Sequence, residues 1–508
     1  MNNVLEYLKK SVANHRNKIA VIEEDKTITY SDLNKYSKIV GSYYAEKGYF
    51  NKPIIIFMDK GIDTLISFFG TLYAGCFYCL VNPEFPKMRI DGIKDTLKAE
   101  YVITDDTNMS LAKEYFKDIN IMNIKDLKQG QINTKKLKEA EEKHINYDPV
   151  YVNFTSGSTG VPKGVVISHR SVIDFIDEFT EIFNFTEKDM IGNQAPFDFD
   201  VSVKDIYSSI KMGATLVIIP KKYFSSPAKL LDYITDNKVT TLTWAVSALC
   251  LITTFHGLEY KVPKDVNKII FSGEVMPVKH LNKWMEKLPN TTFVNIYGPT
   301  EITCNCTYHI IDRKRKYLDK IPIGKAIPNE RVFLLDSNNK EVIEKNIPGE
   351  ICVAGSAVGL GYYNNKAQTD KHFTKNPLVT NYLETIYRTG DLGYYDENDD
   401  IVFAGRKDFQ IKYLGHRIEL EEIERAIMNV NEVIRSCCLF DEEKSKLYGF
   451  YIGSISKKDL HIKLKENLPV YMIPTSLIQI EEFPMNKNGK IDRKKLMEYK
   501  NNKESVRW

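Results

Sequence analysis

No apolar run in this 508-residue sequence approaches the ~20 residues needed to cross a bilayer, which argues against membrane insertion. The first residues, Met1-Asn2-Asn3-Val4-Leu5-Glu6, hold no charged lead before an apolar block. No secretory signal is therefore read, and a soluble cytoplasmic protein is expected. A strong charge of either sign is also missing: 70 lysines and arginines stand against 67 aspartates and glutamates, for a net charge of +3. The lysines are scattered, and no basic stripe interleaved with aromatics is present, so nucleic acid is not expected as a partner. There is no internal repeat of fixed period and no low-complexity tract. Paired cysteine motifs are scarce. Cys76-x-x-Cys79 has no second pair near it, and Cys304-Asn305-Cys306 and Cys437-Cys438 lie in strand-like apolar surroundings. The eight cysteines are expected to be reduced, buried and to act as small hydrophobes.

The chain is too long for one core, and a hydrophobic content of 43% gives it ample surface to bury. Over the first ~400 residues helical and strand-like segments alternate, the pattern of a layered α/β domain. Thr64–Ala74 reads as helix and Cys79–Val81 as a short strand; Leu216–Ile219 and Lys268–Phe271 are compact apolar runs of the kind buried in a sheet. Between Ile124 and Tyr147 the chain turns lysine- and glutamate-rich and reads as solvated helix and loop. A boundary is expected near Gly405-Arg406-Lys407-Asp408. Before it, Asp396–Ala404 reads as a hairpin turning at Asn398-Asp399-Asp400. After it, Leu420, Ile423, Ala426 and Ile427 recur at helical spacing within Glu419–Met428. The expected architecture is a large layered α/β domain over 1–407 and a small α+β domain over 408–508.

The most informative stretch is Tyr151-Val152-Asn153-Phe154-Thr155-Ser156-Gly157-Ser158-Thr159-Gly160-Val161-Pro162-Lys163-Gly164. A β-prone run leads into a Thr/Ser/Gly loop that exits through Pro-Lys-Gly. Glycines let backbone N–H groups approach an anion, hydroxyls donate further bonds, and Lys163 adds a mobile positive charge. The spacing is not Gly-x-x-x-x-Gly-Lys-Ser/Thr, because Gly164 follows Lys163 and supplies no magnesium-binding hydroxyl. Taken alone, such a run also fits a flexible surface loop.

The loop resembles the signature of the adenylate-forming enzymes: acyl-CoA synthetases, luciferases and the adenylation domains of nonribosomal peptide synthesis. Further segments resemble that family in the same order. They are Ile28-Thr29-Tyr30-Ser31-Asp32-Leu33, Leu72-Tyr73-Ala74-Gly75-Cys76-Phe77-Tyr78, Phe199-Asp200-Val201-Ser202 and Asn295-Ile296-Tyr297-Gly298-Pro299-Thr300-Glu301. Tyr387-Arg388-Thr389-Gly390-Asp391, Gly405–Lys412 and Asn488-Gly489-Lys490-Ile491-Asp492-Arg493 complete the series. Together these cover nearly the whole chain.

Activation of a carboxylate by ATP must bring two anions together and neutralise their repulsion. The resemblance implies that Glu301 binds Mg2+, since a hard cation takes carboxylate oxygen. It implies that Thr155, Ser156, Gly157, Lys163 and Thr300 meet phosphate and that Asn295, Ile296, Tyr297, Gly298, Pro299 and Phe403 surround the nucleotide. Tyr297 would offer a flat face to adenine. Asp391 would bind both ribose hydroxyls, with Arg406 reinforcing it. Taken singly, Asp391 also reads as a turn residue and Glu301 as a helix-entry charge. Lys490 sits in a polar turn that otherwise reads as solvated surface. The resemblance makes it the lysine that bridges carboxylate and phosphate, in catalysis with Glu301 and Thr155. It further implies a C-terminal domain that swings about Asp408 between two half-reactions, with Lys412 and Gly415 lining the entry of a phosphopantetheine arm.

Phe199-Asp200-Val201-Ser202 bears on substrate class. In amino-acid-activating members the aspartate of this element pairs with the substrate ammonium, and an unpaired buried aspartate would be costly in activators of plain acids. Asp200 therefore argues for an amino acid; a helix cap is the alternative for Asp198 and, less so, for Asp200. Val201, Lys204, Ser272, Ile296, Cys304 and Lys490 complete the expected substrate contacts. Within the amino-acid activators the chain resembles the D-alanine:D-alanyl carrier protein ligases through Asp408–Lys412, Glu419–Glu424 and Gly273-Glu274-Val275. It departs from them at Ser272, where they have cysteine, and in Trp244–Ala248. Lys204 is a further departure, at a position that is apolar in those ligases. A pocket lysine suits a carboxylate or other polar side chain better than a methyl group, unless it snorkels outward. The expected activity is ATP-dependent activation of D-alanine and transfer to a separate carrier protein, by a monomer. The alternatives are a stand-alone adenylation enzyme for a polar or acidic amino acid and a small-acid acyl-CoA synthetase. A carrier domain would need about 80 further residues, so the carrier is expected to act in trans.

Overall fold

The computed structural model describes all residues except 157–161, 319, 408–409, 443, 486–490 and 505–508, and side chains are described up to residue 498. Two compact units make up the chain. One comprises Met1–Pro83, Lys94–Phe154 and Gly164–Lys407; the other comprises Glu84–Ile93, Thr155–Lys163 and Asp408–Trp508.

The first unit is α/β, as expected from the alternation of segments. A nine-stranded sheet runs in the order Lys325–Ala326, Thr307–Ile310, Thr292–Tyr297, Lys268–Ser272, Thr241–Ala245, Met190–Asn193, Thr215–Ile218, Ile19–Glu23 and Lys26–Thr29. Its six central strands, from Thr292–Tyr297 to Ile19–Glu23, are parallel, with antiparallel strands at either edge. A second, seven-stranded sheet has Pro53–Phe57 between Phe77–Leu80 and Tyr101–Thr104, all parallel. Parallel strands covered on both faces need continuous apolar runs, and Pro53–Phe57 is buried at every position.

Helices pack the space between these sheets. Ile62–Tyr73 is apolar on nearly every side and buried from Thr64 onward, whereas the sequence placed its start two residues later. Tyr30–Glu46 begins with Thr29, whose hydroxyl accepts from the Asp32 N–H. A Cβ on Gly70 would lie 2.6 Å from Val40 Cγ1, so glycine is what lets these two helices touch. The lysine- and glutamate-rich stretch is only partly solvated: Thr134–Lys143 buries Leu137 and Ala140. Their i, i+3 spacing forms a narrow apolar stripe within a charged sequence.

An antiparallel sheet of Glu330–Leu335, Gly349–Gly355, Thr385–Tyr395 and Phe373–Lys375, with Ile401–Arg406 paired to Thr385–Tyr395, completes this unit. The expected hairpin is thus longer than its sequence signal. Cys304 and Cys306 correct another expectation, since they precede the strand Thr307–Ile310 in irregular backbone and Cys304 has φ +76°. All eight cysteines are free, and all but Cys250 are buried.

The second unit is α+β. Gln410–Tyr413 pairs with His416–Glu419, helix Leu420–Met428 follows, and Val433–Asp441, Lys446–Gly453 and Ser476–Gln479 form a three-stranded sheet. Leu420, Ile423, Ala426 and Ile427 are the buried face of that helix, as their spacing predicts. No helix among the described residues is long and apolar enough to cross a membrane.

Candidate active site

Site residues of the first unit gather at the C-terminal ends of its parallel strands, where open α/β sheets bind ligands. Tyr297 ends the strand Thr292–Tyr297. Its hydroxyl donates to one carboxylate oxygen of Asp391, and the Arg406 guanidinium donates to the other. Asp391 and Arg406 face each other in register across the antiparallel pair, which fixes this contact in the backbone. Asp391 is 1% exposed. Burial, with Asp391 beside it, pushes the Tyr297 phenol well above its ordinary pKa. The Tyr297 ring is itself buried, with Phe403 tilted 6.4 Å away, so holding Asp391 is the role its geometry supports best. Asn295 sends its amide nitrogen to the Pro322 carbonyl at 2.8 Å, a structural bond that the motif did not reveal.

Past Tyr297 the chain makes a sharp loop. A Cβ on Gly298 would stand 2.4 Å from the Asn305 Cα and 2.6 Å from the Cys304 carbonyl oxygen, so only glycine fits where the loop folds back. Pro299 leads into the 3-10 turn Thr300–Ile302. Glu301 is 1% exposed, and the Tyr362 hydroxyl donates to its carboxylate at 2.6 Å. The Glu301 carbonyl accepts from Gly359 N–H at 2.8 Å, and the Thr303 hydroxyl donates to the Ala357 carbonyl at 2.7 Å. Ala357 N–H in turn donates to Glu330 Oε1 at 2.8 Å, while Glu330 Oε2 has no hydrogen-bond partner among the described residues. Burial pushes Glu330 up to about 8. Neither Tyr362 nor Glu330 was found from the sequence, because Tyr362 reaches the loop from a strand 61 residues on and Glu330 meets it only through Ala357.

The same loop ends at the residues expected to meet an amino acid. The Cys304 thiol donates to the Asp200 carbonyl at 2.9 Å. Asp200 occupies the N-cap position of helix Val201–Met212, yet its side chain makes no capping bond. Lys204 does not snorkel outward: it is 1% exposed, and its ammonium donates to Asn305 Oδ1 at 2.9 Å and, weakly, to Ser272 Oγ at 3.5 Å. Burial lowers its pKa, opposed by Cys304, Asp205 and Asp200. Ile296 and Ser272 are buried at the ends of adjacent strands.

Sequence reasoning missed the polar layer behind them. Asp205 is fully buried, receives the Asn193 amide at 2.8 Å and the Thr243 hydroxyl, and is pushed up to about 7 by burial. Lys204 and Asp205 are sequence neighbours but point about 100° apart on the helix, so each has its own partners.

An AMP-binding enzyme family model matches residues 8–363. The chain belongs to the AMP-binding enzyme family. The order of motifs read in the sequence is therefore the order of a true member. Gramicidin S synthase 1 of Brevibacillus brevis is 31% identical over 501 residues, covering 96% of this chain and 44% of that protein. The chain thus spans less than half the length of this curated relative, and only 10% of Gramicidin S synthase 2. Among solved structures, the Vibrio cholerae adenylation domain AlmE, in complex with glycyl-adenosine-5'-phosphate, superposes with a TM-score of 0.86 at 20% identity. It covers 98% of both chains. PA1221, an NRPS protein containing adenylation and PCP domains, gives a TM-score of 0.84 at 22% identity, over 98% of this chain and 84% of that one. At these identities the likeness is one of fold.

The remaining expected residues of this family member lie in the second unit or outside the described residues. Thr155 ends the strand Pro149–Thr155, and the Ser156 hydroxyl donates to the Arg417 carbonyl at 2.8 Å. Lys163 is buried, with Glu419 Oε1 at 3.8 Å. Gly157, Asp408 and Lys490 lie outside the described residues. Lys412 sits opposite Arg417 in the hairpin Gln410–Glu419. Its turn, Leu414-Gly415, has φ +51° and +79°, the two left-handed positions of a type I′ turn.

Proposed function

We propose that the protein activates an amino acid with ATP to give aminoacyl-AMP and pyrophosphate, then passes the aminoacyl group to the phosphopantetheine thiol of a separate carrier protein. One observation carries this reading. The segment 297–305 begins at the partner of Asp391, passes Glu301 and ends on Asp200 and Lys204. One peptide thereby links the residue pair suited to a nucleotide with the backbone of Asp200, and a reaction between two bound anions needs both held close together. AlmE with its glycyl-adenosine-5'-phosphate and PA1221 with its PCP domain support the same chemistry.

Asp391 keeps acceptor capacity beyond its bonds to Tyr297 and Arg406, since a carboxylate offers about four lone-pair sites, and this capacity suits ribose hydroxyls. Glu301 and Thr300 present one carboxylate and one hydroxyl, a hard oxygen set that suits Mg2+, which keeps water and phosphate oxygens in its shell. Bound there, the ion would neutralise phosphate charge. Asp200 would hold the substrate ammonium. A substrate carboxylate oxygen then attacks the α-phosphorus, the bond to the bridging oxygen breaks, and pyrophosphate leaves. In the second step a thiolate attacks the acyl carbon and AMP departs. From the family resemblance, Lys490 stabilises charge in the first step.

D-alanine is the substrate suggested by likeness to the carrier-protein ligases. The burial of Lys204 favours a second reading, an amino acid with an acidic or strongly accepting side chain, because a buried ammonium needs more than two neutral acceptors. Amino-acid-dependent ATP–pyrophosphate exchange across the twenty amino acids, their D-forms and β-amino acids tests both readings. Absence of exchange with every one would overturn the proposal. Consumption of free coenzyme A, with activity retained in Asp200→Ala, would favour an acyl-CoA synthetase instead.

A further inference from the structure

Thr303 and Asn305 are not among the site residues expected from the sequence, yet they flank strained backbone. Thr303 has φ +51° and Cys304 φ +76°, two successive left-handed positions without a glycine. A β-branched residue is an outlier there, because its Cβ crowds the backbone. The Asn305 N–H donates back to the Thr303 carbonyl at 3.1 Å, so Cys304 is the centre of a γ-turn, a rare and strained form. Such backbone persists only where its surroundings hold it. In front, the Cys304 thiol meets the Asp200 carbonyl and Asn305 Oδ1 receives Lys204. Behind, the fully buried Thr303 donates its hydroxyl to the Ala357 carbonyl at 2.7 Å. Ala357 is fixed in turn, since its N–H donates to Glu330 at the start of the strand Glu330–Leu335. The Thr303 N–H bonds within the loop, to the Thr300 carbonyl at 3.3 Å. Among the described residues, the hydroxyl is therefore the hydrogen bond that ties the turn to backbone outside the amino-acid site. The stretches on either side have anchors of their own: Gly359 N–H holds the Glu301 carbonyl, and Cys306 N–H closes onto the Tyr297 carbonyl at 2.8 Å.

We propose that Thr303 is a positioning residue whose hydroxyl holds the strained turn at Cys304 and so shapes the end of the pocket that takes the amino acid. Asp200 and Lys204 line that pocket in the function proposed above, on which this role rests. A released turn would leave the Asp200 carbonyl without its thiol and Lys204 without its nearer acceptor. The amino acid would then bind only the fraction of molecules in which the turn has re-formed, and its apparent affinity falls by that fraction. Tyr297 and Glu301 keep their own partners, Asp391 and Tyr362, so ATP binding is spared.

Cys304 reports on the turn without any substrate. Its thiol is buried, and burial pushes its pKa well above the ordinary value, so alkylation is slow while the turn holds. Iodoacetamide labelling of the full chain, read cysteine by cysteine by mass spectrometry, has the other free cysteines as internal controls. Thr303→Val keeps the shape and removes the hydroxyl. Cys304 should then label about tenfold faster or more, with Cys306 and the other buried cysteines unchanged. Thr303→Ser restores the donor and should label like wild type. Unchanged labelling of Cys304 in Thr303→Val, or equally fast labelling in Thr303→Ser, would overturn the proposal. So would acceleration of all the buried cysteines together, since the hydroxyl would then hold the fold and not the turn. If Thr303→Val does not fold, Thr303→Ala, which lacks the hydroxyl and crowds the backbone less, takes its place.

Pyrophosphate exchange with D-alanine and with L-glutamate tests the link to the amino acid. In Thr303→Val the KM for whichever supports exchange should rise about tenfold or more, with kcat and the KM for ATP steady, and Thr303→Ser should recover wild-type values. Fast labelling of Cys304 with an unchanged amino-acid KM would mean that the turn moves without serving the pocket, and would overturn the positioning role. Failure of every amino acid to support exchange would sink the proposed function while leaving the labelling result to judge Thr303.

Discussion

Under the proposed function, Lys204 is the side chain that would separate the two substrate readings. Its ammonium is buried against Asn305 and Ser272, both neutral. Lys204→Met should leave exchange with D-alanine unchanged or improved, and should reduce exchange with an acidic amino acid by about 100-fold, the loss of a charge-assisted bond worth roughly 3 kcal/mol. Pyrophosphate release with both substrates checks this, and a loss confined to D-alanine would refute it. Glu330 gives a pH prediction. Its pKa is raised from an ordinary 4.5 to about 8, so the folded state holds the proton more tightly than the unfolded chain. Stability from this group is fully present below pH 4.5 and is lost as pH rises through 8. Glu330→Gln keeps an acceptor for Ala357 N–H and cannot ionise. Denaturant melts should show it a few kcal/mol more stable than wild type above pH 8, with the difference vanishing near pH 4.5. At this scale the sequence made Asp200, Glu301 and Asp391 visible because each sits in a long motif. Asn305, Tyr362, Glu330 and Asp205 were hidden, since each is an ordinary polar residue until folding supplies its partner and removes its water.

Among elements, parallel strands such as Pro53–Phe57 and the helix Leu420–Met428 were legible because burial on two faces, or on one stripe, writes itself into residue spacing. The hairpin turn Leu414-Gly415 was not. Type I′ turns favour Asn-Gly, and leucine at φ +51° carries a Cβ where the left-handed region has little room for it. Leu414 is 50% exposed, so no core contact compensates. Leu414→Asn should therefore raise the stability of the second unit by about 1 kcal/mol, read as a shifted denaturation midpoint with an unchanged m-value. An unchanged or lowered midpoint would mean that the leucine side chain makes up the strain. The loop through Gly298 sets the opposite demand. Gly298→Ala would press a methyl group onto the Asn305 backbone, and both substrates' KM values should rise by about tenfold or more, measurable in steady-state exchange kinetics.

For the whole molecule, the sequence announced two kinds of architecture, and the chain has both. Family likeness gives Lys490 a part in the first half-reaction alone. Lys490→Ala should cost that step several kcal/mol, so that pyrophosphate exchange disappears, while thiolation from chemically supplied aminoacyl-AMP continues at near wild-type rate. Equal damage to both steps would argue against alternation between them. The fold-back of residues 297–305 has a thermodynamic corollary of its own. Because one peptide touches residues of both proposed subsites, occupying either should stiffen the other, and linkage requires that the effect be reciprocal. The factor by which an amino acid tightens the binding of AMP must equal the factor by which AMP tightens the amino acid. Calorimetry from both directions would turn the shape of one short segment into a single cooperativity constant.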